Sequence, residues 1–594
     1  MRRIPVNNNI TPARWSLDDL LKEPVESSLE SSLVELEALT AAFESERGRL
    51  NNDLDPASFI DLLARYEAVL RLAYRIGAYA QLAFLADTRE QATLNRRDRV
   101  DQVLTEIRNR LLFFTLWIKA WPDETAARLT PQSGDYRHYV KTLLKMKPFT
   151  LNESEEQIIN LKDSNGIDAM INLYEMMTSA YSFSVEVEGE KLTLTRDQLM
   201  ALCRHPSAEI RANAYRELFK VYEEHSSVLA QIYNHRVRDW HAESVGLRKF
   251  ASPISPRNLN NDIPDKAVET LLDVCKANND LFQRYFRLKA GWLGMDRLQR
   301  YDIYAPLATN NKSYSYAEAY ETVMDSFDAF WPDLADMARR VFIENHIDSE
   351  ARPGKRGGAF CYSVLPNQTP WVLVNFTGKA RDVATLAHEL GHAIHSMQAA
   401  DHSLLTFHSS LPLAETASVF SEMLLTDRLL SQESDPRVRK DLLAYAIDDA
   451  YATVQRQAYF TIFEREAHRR IMAGDTVDKL CDAYMDNLRS QFGDAVTLND
   501  EFKWEWITIP HIYATPFYTY AYSFGQLLVL SLYQQYRREG DSFIPRYLKL
   551  LSVGGSAEPV QVLDEAGFDI SSPAFWQGGY DVLRAMVDEL ESLG

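Results

Sequence analysis

The sequence predicts a mainly α fold divided into at least two lobes, and three observations carry that expectation. Apolar residues recur at helical spacing through most of the chain. Alternating, strand-like patterning is confined to two short stretches. The length, 594 residues, is about four times what one ordinary domain uses, so a single core is not expected.

Taken in order, Leu29, Leu33, Leu36 and Phe43 repeat at helical intervals with Glu and Ser between them, the pattern of a helix burying one stripe. The segments 57–86 and 95–120 read the same way, separated by polar breaks such as NNDLDP and WPDE, whose Asn, Asp and Pro favour turns. Phe183 to Thr195 alternates Val185 and Val187 with glutamates, turns at Gly189 and alternates again through Leu192 and Leu194, which predicts a β-hairpin. That hairpin is the expected boundary between an N-terminal helical lobe (1–195) and a second domain (196–594). Beyond it come long helical patterns, a loop rich in Pro and Asn (251–264), and a second strand-like region at 357–376, where GGAFCYSVL and WVLVNF flank the turn residues PNQTP.

Composition narrows the function. Hydrophobic residues at 46% and charged residues at 25% fit a soluble globular protein. A net charge of -20 disfavours a general nucleic-acid binder, because phosphate affinity needs clustered Lys and Arg. Cys203, Cys275, Cys361 and Cys481 form no CxxC pair, so neither a disulfide framework nor a thiolate zinc site is expected, and a reducing compartment fits. The opening MRRIPVNNNITPARW lacks the apolar run of a secretory signal, and even LLFFTLWI stops at Lys119, short of a membrane span. The expectation is a cytoplasmic protein with no membrane partner.

The chemistry is concentrated in ARDVATLAHELGHAIHS, residues 380–396. His388, Glu389 and His392 form an H-E-x-x-H arrangement: imidazoles four apart share one helix face and can reach one metal, with Glu389 beside them to handle the proton of a metal-bound water. Val383, Leu386, Ala387, Leu390 and Ile394 make the helix a buried one, where two unpaired histidines and a carboxylate would be costly without a ligand. A catalytic zinc takes three protein ligands. Among His395, His402, His408, Glu415 and Glu422 downstream, His395 lies about 10 Å of helical rise beyond His388, too far for a compact tetrahedron. Glu415 sits in SSLPLAETASVFSEMLL, where Ser409 and Ser410 precede Pro412 and a helical run. Glu415, Ser418 and Glu422 fall on one face of that predicted helix, which makes Glu415 the expected third ligand and Ser418 or Glu422 a partner for a ligating histidine.

HELGHAIHS, followed 23 residues after His392 by Glu415 in ETASVFSE, resembles oligoendopeptidase F of the thimet oligopeptidase group of zinc peptidases. The likeness extends through YDIYAPL (301–307), GKRGGAFC (354–361), PHIYATPFYTYAYSFG (510–525) and LSVGGSAEP (551–559). The resemblance implies a two-lobed helical zincin with a small β-sheet beside the active-site helix and a deep central channel, carrying one zinc per chain and cleaving short peptides. It implies that the strand of Gly357, Gly358, Ala359, Phe360 and Cys361 pairs with substrate backbone, and small residues there suit close approach. It also implies that His511 with Tyr518 and Tyr520, and Tyr522 after them, bind substrate and stabilise the oxyanion; Tyr513 shares the run. Cys361 reads as a buried small hydrophobe, with no paired histidine identifiable around it. The expected activity is a zinc metalloendopeptidase with Glu389 as general base. A zinc carboxypeptidase on a similar scaffold, or an inactive peptide-binding protein that keeps its metal, are the alternatives. Intact Glu389 stands against the last.

Overall fold

Helices account for most of the chain, and strands for three small sheets. The computed structural model describes residues 10–307 and 313–594. The start of the segment read as lacking a signal, residues 1–9, lies outside the described residues. Among those described, no helix is long and apolar enough to cross a membrane.

The chain forms two compact units, each assembled from three separate stretches: residues 1–148, 311–432 and 535–569 in one, and 149–310, 433–534 and 570–594 in the other. Compactness therefore groups the chain differently from the expected split at 195. The reason lies in the first unit's core. Helices Val25–Glu44, Pro56–Ala86 and Gln91–Lys119 bury Leu36, Phe59, Ile76 and Phe114 in a cluster that also takes in Val364, Trp371 and Leu373 from much later in the sequence. The helical stripes at 29–43, 57–86 and 95–120 are thus real helices, and their apolar faces find partners that sequence distance conceals.

Also in the first unit, a three-stranded sheet runs in the order Ile347–Glu350, Trp371–Phe376, Phe360–Tyr362, with the first pair parallel and the second antiparallel. The outer side of Ile347–Glu350 is covered by the N-terminal segment, where Ser349 N donates to Ala13 O at 2.8 Å. The strand Phe360–Tyr362 is the other edge and pairs only with Trp371–Phe376 among the described residues. Gly357, Gly358 and Ala359, expected to continue it, do not: Gly358 adopts φ +79°, outside the extended region, and Asn375 Nδ2 donates to the carbonyls of Arg356 and Gly358 at 3.0 and 2.8 Å in place of a ladder.

The second unit contains the predicted hairpin, Phe183–Val187 with Glu190–Leu194. Its two turn residues, Glu188 and Gly189, both have positive φ, 53° and 87°, as a tight two-residue turn requires. Helix Ala208–Glu224 packs on it, and the unit also holds the long helices Arg456–Met472 and Val477–Phe492 and a short parallel pair, Leu298–Gln299 with Val496–Thr497.

Candidate active site

Helix Ala380–Gln398 carries the H-E-x-x-H residues. Its start is fixed by Asp382, whose Oδ2 accepts from Thr377 N at 2.7 Å and Lys379 N at 3.1 Å. It packs against the sheet strand Trp371–Phe376 and against helix Ser418–Gln432. The second contact depends on Gly391. A Cβ there would lie 2.6 Å from Ala417 O and 2.6 Å from Ser418 Cα, so only glycine lets that backbone come so close.

The region after Pro412 is not the single helix expected. Helix Leu411–Ala414 ends, residues 415–417 form a turn, and helix Ser418–Gln432 begins. The turn seats Ala417 on Gly391 and presents Glu415 to the two histidines. Glu415 Oε2 stands 3.5 Å from His388 Nε2 and 3.4 Å from His392 Nε2. A tetrahedral ion with bonds of about 2.05 Å sets its ligands about 3.3 Å apart, so the three donor atoms have the spacing of one small cation. Their outer contacts suit ligation too. His388 Nδ1 lies 2.6 Å from Glu422 Oε1, which accepts the ring proton and leaves Nε2 to face the cluster. Ser418 Oγ donates to Glu415 Oε2 at 2.6 Å.

Electrostatics points the same way. Burial pulls the His388 imidazole down, but Glu422 and the charges of Glu415 and Glu389 outweigh it and lift it to about 9. A metal held by His388 would therefore displace a proton. His392 is held low, by burial first, while Glu415 is held below its ordinary value because the two imidazoles outweigh burial. Glu389 is buried and pushed up to about 7 by burial first, and the like charges of Glu415 and Glu422 reinforce that shift against His388. A carboxyl near neutrality is suited to accept and return a proton.

A cavity of about 390 Å³ opens beside these residues, lined by Ala359, Phe360, Cys361, His388, Glu389, His392 and His408 among others. Gly554 and Gly555 lie against the backbone of its lining residues Phe407 and His408 so closely that a Cβ would meet their carbonyl oxygens at 2.5 and 2.2 Å. The edge strand Phe360–Tyr362 borders the cavity through Phe360 and Cys361. Cys361 is no nucleophile: burial and the charge of Glu389 keep its thiol protonated, well above its ordinary value.

The remaining histidines have other work. His402 Nδ1 meets Asp135 Oδ1 at 2.7 Å and Nε2 meets Ser552 O at 2.9 Å; both partners accept, so the ring is an imidazolium and no ligand. His395 is buried and held at about 4, by burial first and then by His392. His408 lines the cavity but stands outside the donor cluster. A second group of donors, Asp19, Glu344 and His346, occurs elsewhere in the unit. There His346 Nδ1 bonds Thr369 O, and Glu344 pairs with Arg340, so the group reads as an ion-pair cluster.

In the other unit, helix Pro510–Ala514 carries His511, whose Nε2 lies 3.3 Å from the Tyr522 hydroxyl. The Tyr518 ring lies parallel to the His511 ring at 5.9 Å and 5.3 Å from Tyr522. These three are half-buried. Tyr520 does not join them: it is fully buried, and its hydroxyl accepts from Asn261 at 2.8 Å. The oxyanion role expected of it is corrected on that ground. Tyr513 is also core, stacked 3.9 Å from Tyr174. Sequence reasoning missed Gly391, whose signal was a glycine inside a buried helix.

Comparison with known proteins finds two family models that match the chain. The model of peptidase family M3 matches residues 201–582, and the Oligopeptidase F model matches residues 117–183. Oligopeptidase PepF of Bacillus subtilis (strain 168) is 24% identical over 591 residues, covering 98% of this chain and 87% of that protein. An oligoendopeptidase F homolog of Borreliella burgdorferi is 25% identical over 610 residues and both chains are covered in full, 100% each. The crystal structure of oligoendopeptidase-F from Enterococcus faecium superposes with a TM-score of 0.72 at 24% identity, covering 96% of this chain and 99% of that one.

Proposed function

Because the chain belongs to peptidase family M3, we propose that this peptidase is a zinc-dependent endopeptidase acting on internal bonds of short oligopeptides. The observation that carries the reading is the convergence of His388 Nε2, His392 Nε2 and Glu415 Oε2 at the spacing of one ion, with Glu389 alongside. Those three would hold one zinc per chain, which when bound supplies a Lewis acid for the scissile carbonyl and lowers the pKa of water to about 7.

The protein's own groups do the rest. Glu422 takes the Nδ1 proton of His388 and fixes that ring's orientation. Ser418 holds the Glu415 carboxylate. Glu389 accepts the proton of the attacking water on its carboxylate and returns it to the leaving amine. The open edge of Phe360–Tyr362 aligns an extended peptide by backbone pairing, with Gly357, Gly358 and Ala359 leaving room beside it. His511, Tyr518 and Tyr522 act as donors to the developing oxyanion, a role supported by the family resemblance and by their half-buried, mutually packed rings. Four free thiols, Cys203, Cys275, Cys361 and Cys481, fit the reducing cytoplasm.

Glu389→Gln tests the mechanism. The variant is expected to retain one zinc by metal analysis yet lose most hydrolysis of a peptide blocked at both ends, read by mass spectrometry. Near-normal turnover removes Glu389 as base, and failure of the unmutated protein to cut the blocked peptide internally removes the endopeptidase reading.

A further inference from the structure

The second unit buries more positive charge than its side chains balance. Arg300, in the turn after strand Leu298–Gln299, has a side chain only 1% exposed, and its guanidinium lies 4.9 Å from the ring centroid of Phe502 and 5.5 Å from that of Phe492. Arg456 opens helix Arg456–Met472. Both guanidiniums donate to the same atom, Glu505 Oε1, at 2.9 and 3.0 Å, while Tyr484 donates to Oε2 at 3.0 Å. One carboxylate thus answers two cations. The neighbouring carboxylates are already engaged: Asp302 accepts twice from Arg211, at 3.1 and 2.7 Å, and Asp448 accepts from Lys289 and Tyr285. Exposed Arg204, 5.2 Å over the Tyr304 ring, adds a third positive charge to the neighbourhood.

The donors repeat the imbalance. Arg300 Nε and Nη1, Arg456 Nε and the Tyr304 hydroxyl are buried without a protein acceptor among the described residues. Buried donors in folded proteins are nearly always paired, and a guanidinium has no acceptor capacity with which to satisfy a neighbour. We propose that Arg300 and Arg456, with Tyr304, form a binding site for a small monovalent anion of the halide class. The excess on the Arg300–Arg456–Glu505 set is a single positive charge, which one monovalent anion neutralises. The Phe492 and Phe502 rings beside the Arg300 guanidinium are apolar and favour a weakly hydrated ion of low charge over a polyvalent one. Arg456, with a side chain 28% exposed, gives the site its approach from solvent.

The site is connected by its backbone to the segment that carries His511. Glu505 belongs to the turn segment Asp500–Thr508, which runs directly into the helix that carries His511. Arg456 follows the π-helical segment Tyr451–Gln455, a backbone irregularity common at functional sites. Anion binding would tie these two segments together. Arg300, Tyr304, Arg456 and Glu505 all belong to the second unit, so the anion site is independent of the zinc ligands.

Unfolding of the full chain in chloride or bromide, against gluconate at constant ionic strength, tests it. A saturable halide-specific rise of about 1–3 °C in the midpoint is expected. Bromide-soaked crystals should show an anomalous peak beside Arg300. Arg456→Gln, which leaves Arg300 and Glu505 a neutral pair, should abolish both signals. Absence of a halide-specific shift and peak in the unmutated protein overturns the proposal, as does a shift with no peak at Arg300 or one kept at full size in Arg456→Gln. If Arg456→Gln does not fold, the bromide map of the unmutated protein decides alone.

Discussion

Glu415 is the residue on which the ligand assignment turns. Its oxygen is equidistant, within 0.1 Å, from the two imidazole nitrogens at 3.5 and 3.4 Å, whereas both nitrogens of His402 already face acceptors. Glu415→Ala is therefore expected to lower zinc content and activity together, while His402→Ala and His408→Ala keep their zinc in metal analysis. Loss of zinc from either histidine variant with retention in Glu415→Ala would reverse the assignment. Glu422 acts through His388, so Glu422→Ala should weaken zinc binding on the order of 10- to 100-fold in a competition titration with a chelator. Unchanged affinity would reduce the 2.6 Å contact to a surface ion pair. The His388, Glu389 and His392 set was legible in the sequence because helical spacing alone puts both imidazoles on one face. Tyr520 was misread for the complementary reason: among closely spaced tyrosines at a helix start, only the fold decides which hydroxyl meets Asn261 in the core and which ones stay half-buried beside His511.

Elements were legible where one face is apolar over many turns and illegible where packing overrides local preference. The helices Val25–Glu44, Pro56–Ala86 and Gln91–Lys119 follow their apolar stripes closely. The break at 415–417 has no such signal, since Leu413 to Ser418 contains neither Gly nor Pro. Its cause lies on the other helix, at Gly391. Gly391→Ala separates the two influences on that helix. Intrinsic propensity favours alanine by about 1 kcal/mol in a helix interior. The new Cβ, however, would stand 2.6 Å from Ala417 O and 2.8 Å from Ser421 Oγ, and overpacking of this kind costs about 1–3 kcal/mol. The clash wins, and it also pushes the turn that presents Glu415. The expected variant unfolds at lower temperature and binds zinc more weakly in calorimetry. A Gly391→Ala protein with normal zinc affinity would show that the two helices can part without moving Glu415.

At the scale of the molecule, the family models and the compact units divide the chain in different ways, and the difference has a consequence for folding. The Peptidase family M3 match begins at residue 201, which invites the idea that everything after the hairpin is a self-sufficient catalytic domain. The first unit says otherwise. Its core joins Leu63, Ile76 and Phe114 of the N-terminal helices to Val364, Trp371 and Leu373 around the sheet that supports the His388 helix. The N-terminal segment also closes one sheet edge, where Ser349 N donates to Ala13 O at 2.8 Å, and it is tied to the central strand, where Trp371 Nε1 donates to Ser16 O at 2.8 Å. Removing residues 1–195 would expose that core face and that edge together. Each large apolar side chain returned to water costs roughly 1.5–3 kcal/mol, and Trp371 and Leu373 are both fully buried. Losses at a few such positions are comparable to the roughly 5–15 kcal/mol that keep a native protein folded, and the uncovered strand is a template for aggregation. Residues 196–594 expressed alone should therefore show no cooperative thermal transition, little zinc and no peptide hydrolysis. Recovery of a soluble fragment with one zinc and full turnover would mean that the N-terminal helices are an accessory layer and that the sheet supports the metal helix without them.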